Sequence, residues 1–196
     1  VARVDVSPIG LDIPSLEGGD VLLVWNAMTA NGRTSLGFAA GVQLWANLTE
    51  GNSRQLAPFF SAAKVAEEER RQASIEDLER CGMLIDGVLV LKGSRTFGFP
   101  EWYGRDEEQP FDSVEGWEHP VVLAWLERGA NVTIGCPNPE VAELLFGEGG
   151  LKSVFPNLEP EGWGGREAVG GSPRGEELTW EQVEKAAKVV ASLVRH

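Results

Sequence analysis

Cysteine and histidine are nearly absent from this 196-residue chain, which carries only Cys81, Cys136, His119 and His196. A four-ligand zinc site would consume nearly all of them, and no Cys-x-x-Cys or His-x-x-x-His spacing occurs, so no metal site is expected. Two cysteines make no disulfide framework. Basic residues are also scarce: 17 Lys and Arg stand against 30 Asp and Glu, a formal net charge of −13. A field of that sign repels phosphate backbones and anionic bilayers, which excludes nucleic acid and membrane as general partners. Long apolar runs are missing too. The longest near the start, residues 21–25, falls far below the ~18 residues of a membrane span. No signal-peptide pattern is present, so the expected setting is cytoplasmic. The first residue is Val1, which leaves trimming or processing of a longer chain open. Asn47-Leu48-Thr49 and Asn131-Val132-Thr133 match the glycosylation acceptor, a pattern that is common by chance.

What is present is ordinary globular material, 42% apolar and 24% charged. The length predicts a single α/β domain over 1–196, with an N-terminal extension (1–18) and a Gly/Pro-rich loop region (147–178). Residues 20–26 (DVLLVWN), 87–91 (GVLVL) and 131–134 read as buried strands, with a further short strand at 152–155. Residues 34–48 and 55–72 read as helices, and Glu67-Glu68-Glu69-Arg70-Arg71 as the solvated face of the second. Ser74 with Asp77 three residues on reads as a capping-box variant that opens a helix closed by Gly82. Pro120 at a first helical position and Gly129 bound another helix. Asn138-Pro139-Glu140 opens the next, ending at Gly147, and Thr179 with Gln182 caps the last, 180–194.

Strands alternating with helices imply right-handed crossovers. The expected fold is a three-layer, mostly parallel sheet with helices on both faces, flavodoxin-like or Rossmann-like. In such folds ligands sit where the loops after the strands converge. The loop after the first strand (Thr29, Ala30, Asn31, Gly32, Arg33, Thr34) has the hydroxyls, glycine and arginine of an anion site at a helix N-terminus. The same residues also make a capped turn. The loop after the second strand (Ser94, Arg95, Thr96, Phe97, then Trp102 and Tyr103) adds aromatics that would grip a planar ring, or would form a minicore pinning the loop. Gly170-Gly171-Ser172-Pro173-Arg174-Gly175 is a third such turn. Convergence of Arg33, Arg95 and Arg174 would favour a bound phosphate or carboxylate. Cys136, beside a helix start, is a candidate nucleophile and His119 its candidate base. Trp102, Trp117 and Trp163 lie in loops, unlike Trp25, Trp45, Trp125 and Trp180 at core-like positions.

Residues 21–34, 85–98 and 170–175 resemble three stretches of the flavodoxin-like superfamily, in its quinone-reductase and flavin-reductase branches. Together they cover under a quarter of the chain. The resemblance implies an FMN-dependent oxidoreductase. Thr29, Asn31, Arg33 and Thr34 would hold the FMN phosphate. Ser94, Arg95, Thr96 and Phe97 would line the flavin ring, with Trp102 or Tyr103 stacked on it. Two other readings stay open. One is a non-flavin α/β enzyme acting on an anionic or phosphorylated small molecule. The other is a non-catalytic binding subunit of a larger assembly, in which loop aromatics make interfaces; a homo-oligomer fits the same features.

Overall fold

The computed structural model describes residues 53–127 and 131–195, and of residues 53–64, 66 and 67 it describes the backbone alone. The expected strand at 20–26, the helix at 34–48 and the loop residues Thr29, Asn31, Arg33 and Thr34 lie outside the described residues. The chain divides into two compact units, Val1–Gln72 and Ala73–His196.

The described part of the first unit is the start of α1 (Ser53–Cys81). Glu68, Glu69, Arg70 and Arg71 of its charged run are exposed as expected, with Arg71 and Glu68 paired at 2.8 Å. The separate helix start at Ser74 does not occur, because α1 runs through it. Ser74 is fully buried in mid-helix, and Asp77, which should have turned back to it, reaches a different partner described below.

The second unit continues with β1 (Gly82–Ile85), β2 (Val88–Ser94), α2 (Phe99–Trp102), β3 (Val122–Leu126), β4 (Val132–Gly135) and α3 (Pro139–Phe146). Two 3₁₀ turns follow, Gly150–Ser153 and Phe155–Asn157, then β5 (Gly164–Gly165), β6 (Val169–Gly171) and α4 (Trp180–Leu193). The strands form one sheet in the order β1-β2-β3-β4-β6-β5. Among the described residues only β2 and β3 pair in parallel; every other neighbouring pair is antiparallel. The mostly parallel, three-layer expectation is therefore corrected to a mixed, mainly antiparallel sheet.

Connection length explains the correction. Parallel neighbours need a crossover of a dozen or more residues, whereas antiparallel ones need only a turn. Asp86-Gly87, with φ of 49° and 88°, is a two-residue turn that folds β1 back on β2. Residues 120–128 were expected to be helical, but Val122–Leu126 is β3, and the few residues before Val132 suffice only for an antiparallel return. Its apolar run is continuous: Val122, Leu123 and Ala124 are all fully buried, so both sheet faces are covered there. The long stretch between Ser94 and Val122 gives the room for the parallel pairing of β2 and β3, while β4 and β6, though joined by a longer stretch, pair antiparallel. The short strand expected at 152–155 is instead part of the two 3₁₀ turns, and the Gly/Pro-rich region supplies β5 and β6.

Helix caps behave as the sequence indicates. Asn138 Oδ1 accepts the Val141 amide at 2.8 Å, and Thr179 with Gln182 makes a complete capping box. Along α4, Val183, Ala186, Ala187 and Val190 recur at three- and four-residue spacing, are buried, and pack towards β1 and β2. Among the described residues no helix is long and apolar enough to cross a membrane.

Candidate binding cleft

The loop after β2 already holds an anion, supplied by the chain itself. Asp77, on α1 and 3% exposed, places Oδ2 where the backbone N–H groups of Arg95 and Thr96 donate to it at 2.7 and 2.9 Å. The Thr96 hydroxyl donates to the same oxygen at 2.9 Å. Arg80 donates to Asp77 Oδ1 at 2.6 Å and to the Gly93 carbonyl at 2.7 Å. Burial works to raise the Asp77 carboxyl, but the bonds from Arg80, Arg95 and Thr96 outweigh it and hold it below the usual carboxylate range. The Arg95 guanidinium turns outward to Glu127 at 3.0 Å, Phe97 is 53% exposed, and Ser94 is buried with its hydroxyl unpartnered among the described residues. Gly98 lets the loop pass close over the helix: a Cβ there would lie 2.3 Å from that of Ser74.

The aromatics of this loop pack on each other. Trp102 is fully buried and its indole N–H donates to the Ser74 carbonyl at 2.8 Å. Phe99 lies 5.1 Å from Trp102 and 5.8 Å from Tyr103, and Tyr103 meets Trp117 edge-on at 5.9 Å. Arg105 sits against Phe111 and Trp117 and donates to the carbonyls of Gly116 and Gln109. The minicore alternative describes these side chains, and neither the Trp102 nor the Tyr103 ring has a free face for a flavin.

No hydrogen bond or ion pair joins Cys136, His119 and Arg174 to one another among the described residues. Burial pushes the Cys136 thiol far above its ordinary value, which leaves it a protonated, apolar filler. Burial is also the main cause raising Cys81, whose thiol donates to the Asp77 carbonyl at 3.0 Å. His119 is largely covered and lies 3.8 Å from the exposed Glu118. Arg174 is exposed, while Ser172 in the same turn accepts the Val132 amide at 3.0 Å. Among the described residues no group of three or more His, Cys, Asp or Glu is placed to hold a metal.

Two concavities lie among the described residues. One, of about 340 Å³, lies at the amino ends of β2 and β3 between Asp86, Val88, Val121, Leu145 and Lys188. Its lysine is committed to Glu184 at 2.8 Å. The other, of about 490 Å³, opens between the second 3₁₀ turn and edge strand β5. Phe155, Pro156, Leu158 and Trp163 give it apolar walls, Gly162 and Gly164 leave it open, and Glu161 and Lys152 stand at it. Trp163 is 7% exposed, and its indole Nε1 is buried with no hydrogen-bond partner among the described residues. Such a donor costs roughly 1–3 kcal/mol when left unmade, so buried indoles normally have a partner. The only sign of this cleft in the sequence is a large aromatic in a glycine-rich stretch, Gly162-Trp163-Gly164-Gly165. Comparison with protein-family models, curated proteins and solved structures finds no match to this chain.

Proposed function

We propose that the second unit is a non-catalytic binding module whose recognition site is the cleft between Phe155 and Trp163. The observation that carries this reading is a concavity of about 490 Å³, a size ordinary for ligand sites, with Phe155, Leu158 and Trp163 in its lining beside Lys152 and Glu161. The state of the chemically capable groups supports it. The amides that could cradle a phosphate hold Asp77, both thiols are buried and protonated, and Arg95 is paired with Glu127. Of the FMN contacts that the resemblance implies, the ring contacts at Trp102 and Tyr103 are packed in the minicore, and the phosphate contacts at Thr29, Asn31, Arg33 and Thr34 lie outside the described residues.

A direct test compares two ligand classes on the purified full-length chain. Flavin fluorescence is titrated against FMN, and a peptide display library is selected on the immobilised protein. The expected result is no saturable FMN quenching, together with selected peptides whose binding is lost on Trp163→Ala. Retained flavin absorbance after purification, or saturable FMN binding weakened by Arg95→Ala, would overturn the reading.

A further inference from the structure

We infer that the loop after β2 is a preformed carboxylate-binding site that α1 fills from within the chain, with Asp77 as its tethered ligand. Four donors converge on one carboxylate. Oδ2 accepts from the amides of Arg95 and Thr96 at 2.7 and 2.9 Å and from the Thr96 hydroxyl at 2.9 Å, and Oδ1 accepts from the Arg80 guanidinium at 2.6 Å. Successive amides, a hydroxyl and an arginine are the parts from which proteins build sites for bound anions. The resident group identifies the ligand class. A planar carboxylate has both of its oxygens served here, whereas a phosphate or sulfate brings further oxygens for which this set holds no donor.

The cradle is held by contacts that do not pass through Asp77. The Ser94 carbonyl accepts the Glu127 amide at 2.9 Å, and the Trp102 indole donates to the Ser74 carbonyl at 2.8 Å. Arg80 also donates to the Gly93 carbonyl at 2.7 Å, which gives its guanidinium a second anchor. Gly93, at φ 82°, takes the left-handed step that precedes the two amides. Those amides have no other acceptor among the described residues. Removing the carboxylate alone therefore leaves four oriented donors around a space of its size. Arg80 and Arg95 are exposed and Thr96 is half-buried, so that space lies just beneath the surface. In the native chain Asp77 excludes free carboxylates because its tether gives it a far higher local concentration than theirs.

The test is chemical rescue in the full chain at pH 7, read as urea midpoints in sodium formate, acetate, sulfate or chloride at equal ionic strength. The response of the parent in each salt is subtracted, which removes general salt effects. Formate is expected to stabilise Asp77→Ala saturably and chloride is not; at ten times its dissociation constant a ligand of the folded state raises the folding equilibrium constant about elevenfold. Asp77→Gly vacates the Cβ position as well and should respond to acetate at least as strongly as to formate. Asp77→Asn, whose amide fills the space, should show no excess. Adding Thr96→Val to Asp77→Ala removes one donor and should raise the formate requirement about tenfold. If Asp77→Ala is unfolded in chloride, recovery of its far-UV circular dichroism in formate supports the inference. No excess of formate over chloride, equal rescue by sulfate, or an unchanged formate requirement with Thr96→Val overturns it. So does failure of both formate with Asp77→Ala and acetate with Asp77→Gly to restore an unfolded variant.

Discussion

The carboxylate of Asp77 and the backbone amide of Thr96 meet at 2.9 Å across nineteen residues of sequence, and this contact fastens the loop after β2 to α1. Asp77 gathers two amides, one hydroxyl and the Arg80 guanidinium in a place closed to solvent. Asp77→Ala would strip all four of their acceptor at once. It is expected to lower stability by about 3 kcal/mol, in the range for breaking a buried, charge-assisted network. Asp77→Asn, which keeps an oxygen, should lose less. Urea midpoints at neutral pH measure both, and an Ala variant within about 0.5 kcal/mol of the parent would show that the clamp is dispensable.

The same carboxylate makes a pH prediction. Its native pKa lies below the ordinary carboxylate value of about 3.9. A depressed native pKa contributes stability that is present above the unfolded value and is lost as pH falls through the native one. The stability gap between the parent and Asp77→Asn should therefore be widest at neutral pH and narrow as pH drops below about 4. Urea unfolding from pH 6 down to pH 3 reads this, and a gap that stays constant over that window would contradict it. The lowered carboxyls of Glu159, Glu167 and Glu184 are common to both proteins and cancel in the difference.

A thiol assay separates structural from reactive cysteine. Cys81 and Cys136 are both free and both buried. Burial holds each in the protonated form, Cys136 the more firmly, so neither should be modified by a disulfide reagent such as DTNB on the time scale of a surface thiol. Both should react in concentrated guanidinium. Rapid reaction of Cys136 in the native protein would restore it as a candidate nucleophile.

The parts of this fold legible in the sequence are those governed by neighbouring residues. Asn138 before Pro139, and Thr179 with Gln182, are local capping chemistry, and both helices start where that chemistry places them. The sheet is less legible where one pattern serves two structures. Val122–Leu126 after Pro120 fits a helix start and a doubly buried strand equally, and only pairing with β2 and β4 decides. Asp86-Gly87 is the kind of two-residue turn that joins antiparallel strands, with φ of 49° and 88°. At the loop after β2 the ambiguity is of a different kind. Hydroxyl and amide donors announce that a loop will hold an anion, but not whether that anion is a ligand or an Asp from a distant helix. The Trp163 cleft needs Phe155 and Gly164 brought together by tertiary packing, and no spacing rule encodes that.

Gly135 and Tyr103 give the most stringent check on the aromatic minicore. A Cβ added at Gly135 would lie 2.5 Å from the Tyr103 hydroxyl oxygen and 3.1 Å from the Phe99 ring. Gly135→Ala is thus an overpacking change in a buried strand, expected to cost about 1–3 kcal/mol even though alanine suits a strand better than glycine. Tyr103→Phe removes the closer of the two obstacles. The double variant should be more stable than the sum of the single effects predicts, by about 1 kcal/mol, with the Phe99 contact accounting for the penalty that remains. Equilibrium unfolding of the four proteins in the cycle measures the coupling. Strictly additive losses would mean that the tyrosine hydroxyl does not set the space at Gly135, and that the glycine there answers to something other than this contact.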